Sequence, residues 1–391
     1  MKIVDVCAFY SPKGGGVRTY IDRKLAEGPN AGHEIVVIAP GPRSFVEKRG
    51  EGARIVWLES PKFPLDGNYH YFGDAKALHA ALDCEQPDVV EVSSPWRSAS
   101  MVADWKGKAI RSLVMHADPL AAYAYRWFEM LADRPTIDRG FDWFWRHLRR
   151  LDSGFDSVIS ASESLSARLV GGGLRGVSTI PMGVEPGVFS PRLRDSALRK
   201  RLLELCGLDG TGTLLIGVGR HGPEKRWPMV VEAVTSAQFH EPVGLILMGD
   251  GRERAKIVRQ IGANPHIRLL APVADRQQLA QMMASADALI HGCEAETFCM
   301  VAAEASASGL PLIVPSDGGA SDQALTQRSW RYRSGSAAGA ATAILDFTRS
   351  TKFGATGAAR HIHGAPRTMI DHFDELFAHY ETVRAPMRVA A

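Results

Sequence analysis

A chain of 391 residues is too long for one hydrophobic core and suggests two domains of roughly two hundred residues or fewer each. Hydrophobic residues at 45% and charged residues at 23% fit a folded globular protein and exclude a disordered or fibrous one. The formal net charge of +3 is too small to imply nucleic acid or a membrane, so only local basic clusters bear on partners, and no nucleic acid is expected.

In chain order, Met1-Lys2-Ile3-Val4-Asp5-Val6 enters a short apolar strand pattern directly, without the longer apolar region and cleavage site of an export signal. A cytoplasmic protein is expected. No apolar run approaches the roughly 20 residues that span a bilayer, so any membrane contact is expected to be peripheral. The five cysteines, Cys7, Cys84, Cys206, Cys293 and Cys299, are scattered and lack CxxC spacing, which predicts reduced, mostly buried thiols and no zinc site.

Short apolar runs at Ile3 to Phe9, Glu34 to Ala39, Arg54 to Leu58, Val89 to Val92, Ile110 to Met115, Ser157 to Ser160 and Val177 to Pro181 alternate with amphipathic stretches. Arg18 to Glu27 and Asp74 to Leu82 read as helices. The alternation predicts a doubly wound α/β sheet of parallel strands. Around Pro181-Met182-Gly183-Val184-Glu185-Pro186 the chain turns rich in Pro and Gly, as a connection between compact units does. A second series follows at Leu214 to Val218, Val243 to Met248, Ile267 to Leu270, Ala288 to His291 and Leu310 to Pro315. The domains expected are 1–182 and 183–366, both Rossmann-like. Residues 367–391 are expected to be a terminal helix that crosses back to the first domain, with Met369, Ile370, Phe373, Leu376, Phe377 and Tyr380 on one side.

Ligands of open parallel sheets bind beyond the carboxyl ends of the strands, so the loops there are where chemistry is sought. Ser11-Pro12-Lys13-Gly14-Gly15-Gly16-Val17 could admit a phosphate close to its backbone and offer it a helix N-terminus. A plain tight turn is the competing reading. Gly217-Val218-Gly219-Arg220-His221-Gly222 spells GxGxxG, the dinucleotide fingerprint, which raises a dehydrogenase as a rival. Pro223 follows at once, Lys225 and Arg226 stand where a pyrophosphate-binding helix should be packing, and no acidic residue falls at the expected distance. Arg220 and Lys225 instead suit a leaving diphosphate, or are surface charges.

The third loop, Glu294-Ala295-Glu296-Thr297-Phe298-Cys299-Met300-Val301-Ala302-Ala303-Glu304, carries two carboxylates, Glu296 and Glu304, seven intervening residues apart. A helix starting near Phe298 would put Glu296 just before it and Glu304 about two turns inside, with the free N–H groups near Met300 and Val301 aimed at a phosphate. The aromatic and basic stretch Tyr123 to Arg150 reads either as a helix lying on a membrane surface or as one whose Phe141, Trp145 and Leu148 face the core.

Gly15-Gly16-Val17, Val218-Gly219-Arg220 with Lys225, Met248-Gly249-Asp250-Gly251, Glu296 to Glu304 and Gly318-Gly319, taken in order, resemble glycosyltransferase family 4, retaining enzymes of GT-B fold. The resemblance implies two Rossmann-like doubly wound α/β domains facing each other across a cleft, 1–182 on the acceptor side and 183–366 binding the sugar nucleotide, and a hexosyltransferase using a UDP- or GDP-sugar. It implies Gly15 and Gly16 near the donor phosphate, Arg220 and Lys225 on the diphosphate, and Glu296 on donor-sugar hydroxyls. Phe298, Cys299, Met300 and Val301 would line the donor, Glu304 would bind the ribose, and the base would lie near Val273. His116 would stand by the reacting face of the sugar. No metal is expected, because the sequence lacks an Asp-x-Asp pair and the cationic groups replace it. The chain departs from the family at Cys299, usually glycine, and at Asp322, usually glutamate. The acceptor expected is a membrane lipid or lipid-linked glycan. The competing readings are a sugar-nucleotide epimerase or hydrolase and a non-catalytic sugar-nucleotide-binding protein.

Overall fold

The computed structural model describes the chain except residues 12–15, 65–66, 68, 119, 129–130, 326–327, 353–365 and 390–391. Its contacts divide it into two units. One comprises Met1–Asp118, Phe128–Pro181 and Met369–Ala391, the other Pro119–Trp127 and Met182–Thr368.

The first unit is built on eight strands: β1 Lys2–Val6, β2 Glu34–Gly41, β3 Phe45–Gly50, β4 Ala53–Glu59, β5 Val89–Val92, β6 Ile110–Met115, β7 Ser157–Ser160 and β8 Val177–Thr179. They are ordered β3-β4-β2-β1-β5-β6-β7-β8, parallel throughout except for β3, which runs antiparallel to β4. The central strands are buried along their length, as a sheet covered by helices on both faces requires. β3 has no counterpart among the expected strands. Its sequence Phe-Val-Glu-Lys-Arg-Gly lacks an alternating pattern, and it holds the sheet edge mostly exposed, with Phe45 stacked on Trp57 at 5.8 Å.

Asp5 on β1 and Glu91 on β5 are both fully buried. Burying two carboxylates is tolerable only with compensation, and the helix Gly16–Asn30 supplies it. The buried Lys24 ammonium lies 3.0 Å from Asp5 Oδ2 and also binds Glu91. Ser93 donates to Asp5 at 2.8 Å, and Tyr380 donates to Glu91 at 2.6 Å. Tyr380 belongs to the helix Met369–Val389, which buries Met369, Phe373, Leu376 and Phe377 as well. Ile370, expected on the same apolar side, is instead 42% exposed, because the buried stripe is narrower than the apolar content of the helix suggests.

The second unit contains β9 Thr213–Val218, β10 Val243–Met248, β11 Ile267–Leu270, β12 Ala288–Ile290, β13 Leu312–Pro315 and β14 Ser329–Tyr332. All are parallel, in the order β11-β10-β9-β12-β13-β14. This is the arrangement of a dinucleotide-fold sheet, whose switch point falls where the chain leaves β9 in one direction and enters β12 in the other. Trp227, Val230, Val231 and Val234 from the helix Trp227–Gln238 pack in the core with Leu215, Leu245, Ile290 and Ile344. β14 is a second strand absent from the expectation. Only four residues long, it contributes one buried anchor, Tyr332, whose hydroxyl donates to the His291 carbonyl.

Candidate active site

The loop after β9 does not enter a helix directly. Pro223–Lys225 makes a single tight turn, and Arg226 adopts a left-handed conformation, φ 51°, before the helix Trp227–Gln238 begins. A helix N-terminus aimed at a pyrophosphate, the hallmark of the dinucleotide fingerprint, is therefore displaced from the glycines. Trp227 lies fully buried beneath the loop and donates its indole N–H to the Arg220 carbonyl at 3.1 Å. The backbone is held from below while Lys225 reaches sideways.

Its target comes from the loop after β12. The Lys225 ammonium and the Glu296 carboxylate form an ion pair, and His291 Nε2 lies 3.2 Å from the same carboxylate oxygen. Burial by itself pushes Glu296 up, but Lys225 and the His291 contact outweigh it and hold the carboxyl well below the usual range. For Lys225 burial disfavours the charge, yet Glu296 outweighs it and raises the pKa. Both groups are thus charged at neutral pH. His291 is driven down by burial, with Glu296 opposing, and stays a neutral imidazole.

Two glycines grip this loop from the other side. A Cβ on Gly318 would sit 2.2 Å from the Glu294 carbonyl oxygen, and one on Gly319 would sit 2.6 Å from the Phe298 nitrogen. Gly319 also donates its N–H to the Glu296 carbonyl at 2.7 Å. Close backbone approach, rather than turn flexibility alone, is what this pair supplies.

The helix following Glu296 is Met300–Ala307, two residues later than the expected start at Phe298. The reason is Cys299, which takes φ 67°, a left-handed conformation at the point of helix entry. That geometry favours glycine and rarely suits another residue. Glu304 consequently lies little more than one turn into the helix. Ala302 and Ala303 donate to the Cys299 carbonyl, so the N–H groups of Met300 and Val301 occupy the first turn, which has no intrahelical acceptors. Phe298 and Cys299 are buried, while Met300 and Val301 keep partial exposure. Glu304 is buried and paired with Arg276, whose guanidinium also stacks over Phe189 at 4.9 Å. Burial raises the Glu304 pKa, and Arg276 offsets this only in part.

Val273 follows the end of β11 and is half-buried. Arg220 is exposed, and its guanidinium pairs with Glu224 at 2.9 Å rather than with Glu296. In the first unit, Gly16 opens the helix Gly16–Asn30, and a Cβ there would meet nothing within 4 Å. Gly15 lies outside the described residues. His116 directly follows β6, and its ring packs edge-on against Tyr20 at 4.8 Å. Burial pushes its pKa down to about 4, against an opposing pull from Asp5. Within the Tyr123 to Arg150 stretch, Phe144, Trp145 and Leu148 turn into the core, while Phe141, expected there, is only half-buried. Phe128, Leu131 and Trp143 remain exposed, at 40%, 83% and 55%.

All five cysteines are free thiols. Ligand atoms of His291, Glu296 and Cys299 lie within 4.8 Å of one another, close enough to hold a cation. Lys225 already occupies that carboxylate, and burial raises the Cys299 thiol far above its ordinary pKa. A metal there would have to displace one proton and one ammonium.

From the sequence no site role is expected of Arg226, Arg276, His291 or Glu294. The visible signals were an arginine following Lys225 and a second carboxylate in Glu294-Ala295-Glu296, but partners so distant along the chain are joined only by the sheet.

Over all of its length the chain superposes on 98% of sucrose-phosphate synthase from Thermosynechococcus elongatus with a TM-score of 0.69 at 17% identity. That likeness shows a GT-B fold, the architecture of a large class of glycosyltransferases. Residues 14–188 match the model described as Glycosyltransferase Family 4, and residues 206–349 match Glycosyl transferases group 1. The chain belongs to this family and is a hexosyltransferase. It is 27% identical to a GDP-mannose-dependent alpha-mannosyltransferase of Mycobacterium tuberculosis, over 98% of this chain and 97% of that protein. A GDP-mannose-dependent alpha-(1-6)-phosphatidylinositol dimannoside mannosyltransferase of the same organism is 26% identical, over 80% of this chain and 79% of its own length.

Proposed function

We propose that the protein transfers mannose from GDP-mannose, with retention of anomeric configuration, to a hydroxyl of a membrane lipid or lipid-linked glycan. The observation that carries the reading is the Lys225–Glu296 pair at the switch point of the second sheet. The GDP-mannose dependence of the similar proteins favours guanosine over uridine as the carrier.

In this reading Lys225 and Arg220 hold the diphosphate, helped by the N–H groups of Met300 and Val301. A lysine has three donors, so Lys225 can keep Glu296 while binding a phosphate oxygen. Glu296, kept ionised, accepts hydrogen bonds from mannose hydroxyls. Phe298 and Cys299 shape the wall behind the sugar. Glu304 receives the ribose hydroxyls, and Val273 neighbours the base. His116, neutral at pH 7, stands at the reacting face of the sugar. As the glycosidic bond breaks, negative charge grows on the departing phosphate, where fixed cations and helix N–H groups stabilise it more than in the ground state. The phosphate oxygen takes the acceptor proton on the same face, and no metal takes part. The acceptor being a lipid, the enzyme works at the cytoplasmic face of a membrane.

A direct test incubates the protein with GDP-mannose, UDP-glucose or UDP-galactose and a phosphoinositide acceptor. Mannosyl product with an α linkage is expected. GDP-mannose alone should raise the melting temperature, since a ligand of the native state stabilises it. Transfer or stabilisation by a UDP-sugar in preference to GDP-mannose would overturn the donor assignment. Isomerised or hydrolysed donor without transfer would point to an epimerase or hydrolase.

A further inference from the structure

We infer that Arg226 and Glu294 form a positioning pair that sets Lys225 against Glu296, an inference that rests on the donor-site reading of those two residues. Arg226 follows Lys225 immediately, and Glu294 precedes Glu296 by two positions. Arg226 Nε lies 3.0 Å and 2.9 Å from the two Glu294 oxygens, and its terminal nitrogen binds Glu294 as well. This is a planar fork on a carboxylate, which fixes direction as well as distance. Glu294 is 6% exposed. With its carboxylate turned to Arg226 and shielded from solvent, it acts on a substrate only through its neighbours.

The backbone supports the same conclusion. Consecutive side chains on a helix or strand diverge, so two adjacent residues seldom contact one loop. The left-handed Arg226, φ 51°, breaks the regularity, and both Lys225 and Arg226 reach the loop after β12. Such a conformation persists in a non-glycine residue only where its surroundings over-determine it. They do so here. A Cβ on Gly292 would lie 2.7 Å from the Lys225 carbonyl oxygen, and one on Gly335 would lie 3.5 Å from the Arg226 guanidinium. Tyr332 fastens the start of the loop through the His291 carbonyl. The two loops are thus joined by two ion pairs, Lys225 with Glu296 and Arg226 with Glu294, the second holding the more deeply buried carboxylate.

A mispositioned Lys225–Glu296 pair loses contacts that matter most in the transition state, so kcat should fall more than donor binding. The test compares Glu294→Gln, Arg226→Lys, Arg226→Gly and the double variant Arg226→Gly/Glu294→Gln with Lys225→Ala, measuring kcat and donor KM with GDP-mannose and recording thermal unfolding. Expected are a kcat reduced 10- to 100-fold in Glu294→Gln and Arg226→Gly with donor KM changed less than threefold. The double variant should be no worse than either single one, because the pair acts as a unit. Arg226→Lys, which keeps the charge but not the fork, should fall between. A lowered melting temperature with kcat within twofold of wild type would overturn the proposal, leaving the pair purely structural. Should Glu294→Gln or Arg226→Gly fail to fold, Arg226→Lys decides on the same criterion. If Lys225→Ala retains full turnover, the donor-site reading itself fails. If Lys225→Ala is inactive and the Arg226 and Glu294 variants are not impaired, only the positioning role fails.

Discussion

Lys225 and Glu296, 71 positions apart in the chain, meet as an ion pair between the loops that follow two neighbouring strands. The side chains are 17% and 21% exposed, so each charge relies on the other for much of the solvation it lost. Removing one partner leaves the other charge poorly solvated.

Lys225→Met and Glu296→Leu should therefore each destabilise the fold by about 2–3 kcal/mol, below the cost in a fully dry pair because some solvent remains. Combining them should recover most of that loss, since no charge is then stranded. Activity should drop about 10²-fold or more in all three variants. Denaturant melts and turnover measured on the same preparations check both halves. A double variant less stable than either single one, or near-normal turnover in any of them, rejects this account.

His116 bears on pH. With its imidazole pushed down to about 4 by burial, the native chain refuses a proton that the unfolded chain accepts near pH 6.5, about the ordinary histidine value. The contribution of His116 to stability is therefore fully present above about pH 7 and is lost as pH falls towards 4. His116→Gln should flatten this slope in thermal melts between pH 7.5 and 4.5. His221 and His291 are lowered by burial too, so some slope should survive. An acid limb in kcat/KM near 6.5 that vanishes in His116→Gln would show that the imidazole titrates normally.

Lys24 lies between two buried carboxylates, Asp5 and Glu91, and its single charge compensates only part of their burial: desolvation pushes the Glu91 carboxyl up to about 7 against the pull of Lys24. Lys24→Met should cost about 3–5 kcal/mol, the range for stranding buried charge. Tyr380→Phe, which removes one hydrogen bond to Glu91, should cost about 1–3 kcal/mol. Urea unfolding measures both. If Lys24→Met proves as stable as wild type, the lysine does not compensate the burial of the two carboxyl groups.

At Cys299, left-handed backbone strain of about 1–2 kcal/mol is carried by a non-glycine residue. Cys299→Gly relieves it while giving up a small buried side chain, so the melting temperature should stay within a few degrees. Cys299→Val, branched at Cβ, should lose more than about 2 kcal/mol. Equal stability of the two variants would mean that the residue does not hold the left-handed conformation.

Phe128, Leu131 and Trp143 stand exposed in a segment that also presents Arg146, 68% exposed. Aromatic groups beside arginines suit an anionic bilayer surface. Replacing all three apolar residues by serine should lower binding to anionic vesicles at least tenfold in flotation without shifting the melting temperature. Absence of flotation by the wild-type protein sinks the membrane assignment.

From the sequence alone, the alternation of short apolar runs with amphipathic stretches was enough to show two α/β series, because parallel strands covered on both faces are built mostly of apolar residues, with exceptions such as Asp5 and Glu91 that need a buried partner. Glu296 and Lys225 were also legible, as charges in loops that end core strands. Strands β3 and β14 were not, since an edge strand buries too little to impose a pattern on its residues. Nor was the helix start at Met300, which depends on the backbone angle at Cys299. The clasp of Arg226 on Glu294, the retention of Lys24 between two carboxylates, and the turning of Trp145 inward but Trp143 outward were settled only in three dimensions. Each depends on which strands become neighbours, and a one-dimensional pattern records the burial of a residue far better than the identity of its partner.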